Sequence, residues 1–227
     1  MSEYLLINLL IILFPLFLSF EKKIRYYKKL PAVFASIFVV GVVYVLWDAT
    51  ATYRGDWSFN PQFINGIKIL FLPFEEILFF ITVPYSAIFL YETAILYLPE
   101  KKIEISSKIF YSVSAILILI AFINSNRYYT FTVMLFSAFF ILINLLSKNS
   151  ILKSKIYWLW IAFMFIPFLV VNYFLTSLPV VIYSQGAIIG MRLTTIPIED
   201  FFYSYSMLSF NLFVYLIVKE KWPTKRK

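Results

Sequence analysis

Two short acidic motifs hold most of the chemistry available to this chain. Pro73-Phe74-Glu75-Glu76 and Pro197-Ile198-Glu199-Asp200 each set two carboxyl groups beside a proline, at the edge of a long apolar run. Proline suits the first turn of a helix, where its missing N–H is not needed. Pro73 and Pro197 are therefore expected to start helices that carry the acids in their first turns. A helix N-terminus favours negative charge there by ~0.3–1 kcal/mol, which would account for ordinary dipole-matched acids in a headgroup region. The close apolar flanks favour a functional reading, because ionisable groups at span depth are costly and usually functional. Apolar burial favours the neutral form of a carboxyl group, and a neutral carboxyl group is a proton donor.

Neighbouring residues extend each motif. Adjacent helix positions point ~100° apart, so the two acids of a pair face different ways. Phe79 and Phe80 lie one turn beyond Glu76, and Tyr203 and Ser204 one turn beyond Asp200. Upstream come Trp47-Asp48 and then Gly55-Asp56-Trp57-Ser58-Phe59-Asn60-Pro61, a polar, turn-rich stretch studded with aromatics. An interfacial aromatic belt is its plain alternative. The chain has no His and no Cys. That excludes disulfides, thiolate or imidazole metal sites and His-based triads. Carboxylates, phenols and hydroxyls must do any acid–base work.

The elements that position these residues are membrane spans. The 227 residues are 62% hydrophobic and 14% charged, against roughly half and a quarter in soluble domains. Apolar runs at 4–20, 32–47, 73–97, 109–123, 128–146, 156–175 and 197–218 read as about seven helices of near-bilayer length. The N-terminal run lacks a basic start and a small-residue cleavage site, so it is expected to be a mature span. The net charge of +8 reads as basic loops that set membrane orientation rather than a nucleic-acid surface. Lys22, Lys23, Arg25, Lys28, Lys29, Lys101, Lys102, Lys108, Lys148, Lys153, Lys155 and the tail to Lys227 fall on one side. The alternate loops hold Arg54, Lys68, Arg127 and Arg192. The expectation is a multi-pass cell-membrane protein with N-terminus outside, C-terminus cytoplasmic and the acids at the outer leaflet.

A shift of 124 residues lays one half of the chain on the other without a gap. Pro73-Phe74-Glu75-Glu76 falls on Pro197-Ile198-Glu199-Asp200, Asp48 on Asn172, Gly66 on Gly190, Lys68 on Arg192 and Tyr4 on Tyr128. The shift spans an even number of helices, so the halves run in the same direction, a parallel repeat about an axis along the membrane normal. The expected fold is all-α: a first repeat at 1–100, a linking span within 101–127 and a second repeat at 128–227.

The string Trp47-Asp48, Gly55, Trp57, Phe59-Asn60-Pro61, Gly66-Ile67 and Pro73-Phe74-Glu75-Glu76 with Phe79-Phe80 resembles a known family. So do Asn172, Gly190, Arg192 and Pro197-Ile198-Glu199-Asp200-Phe201-Phe202-Tyr203. Both are similar to the carotenoid cyclase domain of the small integral-membrane lycopene cyclases, which occur as two bacterial subunits or as fungal fusions. Here the resemblance covers both halves in one chain. It implies cyclisation of the linear ψ-ends of lycopene to β-ionone rings, giving γ-carotene and β-carotene, by an intramolecular lyase or isomerase that needs no cofactor or metal. The resemblance makes Glu75 and Glu199 the expected principal acids, with Glu76 and Asp200 as partners and Asp48 and Asn172 positioning them. Trp47, Trp57, Phe59, Asn60, Phe79, Phe80, Arg192 and Tyr203 are the expected substrate wall, where aromatic faces stabilise a cation by ~0.5–2 kcal/mol each. The implied partners are lycopene, the lipid bilayer and, at a further remove, other carotenoid-pathway enzymes or a second copy.

Rival readings lack their residues. A retinal-binding seven-helix protein needs a lysine in the last span, and 201–218 has none. A transporter suits parallel repeats, but the acids sit at span ends. A membrane prenyltransferase needs aspartate-rich clusters. A dinucleotide fingerprint is also missing. A carotenoid-binding protein remains compatible with the pattern.

Overall fold

In the computed structural model, residues 1–221 are described, and the basic residues Lys225, Arg226 and Lys227 lie outside them. Seven α-helices carry the described residues: α1 (Glu3–Leu18), α2 (Leu30–Arg54), α3 (Phe74–Tyr97), α4 (Ser107–Ile123), α5 (Tyr128–Leu146), α6 (Lys155–Ser177) and α7 (Ile198–Lys221). Five of these, α2, α3, α5, α6 and α7, are long and apolar enough to cross a membrane. α1 and α4, at 16 and 17 residues, are shorter than the ~20 that a full crossing needs.

The side-chain pattern is that of a protein solvated by lipid. Phe14, Phe17 and Phe38 are each 72% exposed, whereas Asn8, Asn144, Ser206 and Asn211 are buried. With no water inside a bilayer, polar groups must find partners within the protein. Asn8 donates to the Tyr4 and Glu75 carbonyls, and Asn144 to Phe140.

Short strands connect the helices. β1 (Trp57–Phe59), β2 (Lys68–Ile69) and β3 (Leu72–Pro73) lie between α2 and α3, and β4 (Val181–Tyr183), β5 (Arg192–Leu193) and β6 (Ile196–Pro197) between α6 and α7. β2–β3 and β5–β6 are matching antiparallel hairpins. Each follows a glycine in left-handed backbone, Gly66 at φ 88° and Gly190 at φ 93°, a conformation that a side chain would strain. β1 and β4 pair antiparallel with each other, and Ser58 faces Ile182, its own counterpart under the repeat. The pseudo-two-fold axis therefore passes through this ribbon. Around it, α1 packs on α3 and α5 on α7, while α2 on α7 and α3 on α6 join the halves. α4 packs along α5.

Two local expectations are corrected. α2 continues past Trp47 to Arg54 because Asp48 finds partners inside the protein and Thr50 returns its hydroxyl to the Leu46 carbonyl at 2.7 Å. The helix stops at Gly55. Pro73 and Pro197 end strands instead of occupying a first helical turn; Pro73 has ψ 147°, extended backbone, and the helices begin at Phe74 and Ile198. The acids still fall in the first turns.

Candidate active site

The site lies where the first turns of α3 and α7 meet beneath the β1–β4 ribbon. A cavity of about 620 Å³ runs from there between α1, α3, α6 and α7. Its head carries Asp48, Glu76, Asn172 and Asp200 with Tyr4, Tyr129, Tyr183 and Tyr203. Its shaft is apolar, with Ile11, Val83, Phe168 and Val171 among its walls. The ribbon residues Trp57 and Phe59 close the top.

Glu76 and Asp200 are related by the repeat and are held alike. Glu76 Oε2 accepts a hydrogen bond from Tyr4 Oη at 2.6 Å, and Asp200 Oδ1 accepts one from Tyr129 Oη at 2.7 Å. The helix pairs α1–α3 and α5–α7 bring each tyrosine to its acid. Their other partners differ. Asp200 Oδ2 also accepts from Asn172 Nδ2 at 2.6 Å and from Tyr183 Oη at 2.9 Å. Glu76 instead lies beside Asp48, the residue in Asn172's place, so that two carboxyl groups meet at the cavity head. Two carboxyl groups can hydrogen-bond to each other only when one of them carries a proton. Asp48 Oδ1 further accepts from Tyr203 Oη at 2.9 Å. Burial first, and then the adjacent Asp200, push the Tyr183 phenol well above its ordinary range, so it remains a donor.

No lysine or arginine among the described residues forms an ion pair with these three acids. Arg54 pairs with Asp56 and lies 4.2 Å from the Tyr128 ring centre. With no neutralising cation, the site is one of carboxyl groups, phenols and an amide set against apolar walls. Among the described residues, no cluster of three or more acids is arranged to hold a metal ion.

Glu75 and Glu199 point elsewhere. Both are fully buried and absent from the cavity wall. Glu75 Oε1 accepts from Ser2 Oγ at 2.6 Å and Asn65 N at 2.7 Å; Glu199 Oε1 accepts from Thr130 Oγ1 and Ile189 N, both at 2.7 Å. Each thus clamps the backbone just before the glycine that opens its hairpin.

Of the aromatic and polar residues expected to line a substrate, Trp57, Phe59, Phe79 and Tyr203 do face the cavity. Trp47 packs behind Tyr203, with ring centres 5.0 Å apart, and Phe80 is buried in the core. Asn60 shapes its own loop through Gln62 N and the Val180 carbonyl. Arg192 is exposed and donates to the Thr195 carbonyl at 2.6 Å. Sequence reading missed Tyr4, Tyr129 and Tyr183. Tyr4 was aligned with Tyr128, but Tyr129 has its role, a slip of one residue within the Tyr128-Tyr129 doublet. Tyr183 aligns with Phe59, which offered no hydroxyl to suggest it.

The family model for lycopene cyclase matches the chain twice, at residues 2–94 and 126–218, the same spacing as the repeat. No curated protein and no solved structure matches the chain.

Proposed function

The chain belongs to the lycopene cyclase family, and from that premise we propose that its chamber closes the ψ-ends of lycopene to β-ionone rings by proton transfer alone. The Asp48–Glu76 pair donates a proton to the terminal double bond, leaving a tertiary carbocation. The next suitably placed double bond attacks it, a carbon–carbon bond closes the ring, and the positive charge moves into the ring. Asp200 accepts a proton from the ring carbon beside that charge, and the electron pair left behind forms the ring double bond. One proton enters and one leaves, so substrate and product are isomers and no redox partner is consumed. This places the reaction with the intramolecular lyases.

The observation that carries this reading is the difference between the two acid clusters. On one wall, the Asp48 and Glu76 carboxyl groups lie side by side without a cation, an arrangement that favours one retained proton over two negative charges. Facing it, Asp200 accepts three hydrogen bonds through its two oxygens, so it is built as an acceptor. A donor and an acceptor thus share one chamber, with Trp57, Phe79 and Phe168 as aromatic faces for the passing cation. Glu75 and Glu199 act by positioning, since each fixes the loop that leads into its acid-bearing helix. Residues 1–100 and 128–227 serve as the repeats and 101–127 as their link. The basic loops favour a cell-membrane orientation with the N-terminus outside, and the substrate comes from the bilayer.

Expression in lycopene-accumulating bacteria tests the proposal. Cyclised pigment is the expected result; unchanged lycopene alongside well-inserted protein would overturn it.

A further inference from the structure

A two-fold repeat should build two equivalent slots. The cavity lies between α1, α3, α6 and α7, and its counterpart would lie between α5, α7, α2 and α3. That counterpart space is filled. Trp47 stands 4.8 Å from Phe136 and 5.0 Å from Tyr203, and Tyr44 stands 5.4 Å from each of the same two rings. Tyr44 Oη is fixed to Ser206 Oγ at 2.8 Å.

The substitutions responsible can be read from the repeat. Trp47 replaces Val171, and Tyr44 replaces Phe168, both walls of the open shaft. Phe136 replaces Ile11, another wall, by the one-residue slip that also relates Tyr4 to Tyr129. Each change either enlarges a side chain or adds a hydroxyl that anchors it. Meanwhile Glu76, Asp48 and Asp200, contributed by both halves, all line that same open chamber. The repeat has thus produced one site from two halves, not two half-sites.

The open shaft also has a distinct way out. Between Glu76 and Leu90 it follows α3 for ~21 Å at ~1.5 Å per residue. Its flanks on α1 and α6 include Leu10, Val170 and Phe174, which line the cavity and are also exposed. That mouth therefore opens sideways, through apolar residues, into the bilayer.

We propose that the chain works on one end of its polyene per visit, and that the monocyclic product leaves through the α1–α6 mouth and returns reversed for its second ring. This rests on the cyclase reading. A second end cannot be served in place, because the slot that would hold it is plugged by Trp47, Tyr44, Phe136 and Tyr203.

The test uses the full chain in liposomes, with isotopically labelled lycopene and an excess of unlabelled monocyclic carotenoid. Labelled monocyclic carotenoid should appear first in the lipid pool. Label should then enter the bicyclic product only after dilution by the unlabelled pool, in proportion to the excess. Bicyclic product formed undiluted from the start would overturn the proposal, as would arrest at the monocyclic stage. Failure to cyclise anything would instead remove the cyclase reading beneath it.

Discussion

Tyr203 Oη, on α7, donates to Asp48 Oδ1, on α2, across 2.9 Å, so the first repeat's extra acid is oriented by the second repeat. The repeat partner of Tyr203 is Phe79, which has no hydroxyl, and the partner of Asp48 is Asn172, which has an amide in place of a carboxyl group. One bond therefore records both departures from symmetry that give the two acid clusters different chemistry.

Asp48→Asn converts this residue to its repeat counterpart and removes the carboxyl pair. Glu76→Gln does the same from the other side. Each should lower cyclisation by ~10²–10⁴-fold, the usual contribution of a positioned acid or base, with unchanged protein levels. Pigment analysis of the two variants checks this, and near-normal activity in both would move the donor elsewhere.

Tyr129→Phe and Tyr183→Phe each take one hydrogen bond from Asp200. A hydrogen bond to a charged group is worth ~1.5–3 kcal/mol, so each variant should turn over at least about tenfold more slowly. Asp200→Asn should be worse than either. Initial rates in liposomes give the order.

Glu75→Gln and Glu199→Gln keep Oε1 as an acceptor but set an amide where Oε2 has no partner. An unsatisfied buried group costs ~1–3 kcal/mol. Thermal unfolding in detergent should therefore show a lower midpoint, while activity per folded molecule falls less than for Glu76→Gln. Equal losses of turnover in all three would return Glu75 and Glu199 to the reacting groups.

Glu92 on α3 is fully buried and pairs with Lys29 and Lys219, and Tyr215 Oη donates to it at 2.7 Å. It ties the turn that leads into α2 to α3 and α7, at the end of the bundle away from the acids. Removing one partner of a buried pair costs ~3–5 kcal/mol, and the partly exposed lysines reduce that figure. Glu92→Gln should therefore lower the unfolding midpoint without changing the product.

Without cysteines, the chain suits single-thiol labelling. Ser58→Cys in the ribbon should react with an impermeant reagent on intact cells, and Lys148→Cys only after permeabilisation. The reverse pattern would invert the orientation.

Much of this architecture was legible beforehand. Apolar runs and the 124-residue offset exposed the helices and the repeat, because a bilayer demands long uncharged stretches and a repeat keeps its turn residues at fixed spacing. Gly66 and Gly190, or Pro73 and Pro197, survive as pairs because backbone geometry leaves few substitutes. The resemblance singled out Glu75 and Glu199 as principal acids, but helix phase separates neighbours: Glu76 and Asp200 face the chamber, and the residues before them face the loops. A difference of ~100° per residue cannot be assigned to a direction until the packing partner is known.

Sequence by itself determined which residue types were available, that they lie in membrane helices and that two halves share one pattern, since these follow from local hydropathy and spacing. Tertiary structure decided which copy of each pair faces the chamber. Trp47 and Val171 occupy related positions, yet one fills its slot and the other lines an open one. Asp48 and Asn172 likewise meet related acids, yet only Asp48 brings a second carboxyl group to its partner. Those outcomes depend on side chains more than a hundred residues apart in the chain, and only packing brings them into contact.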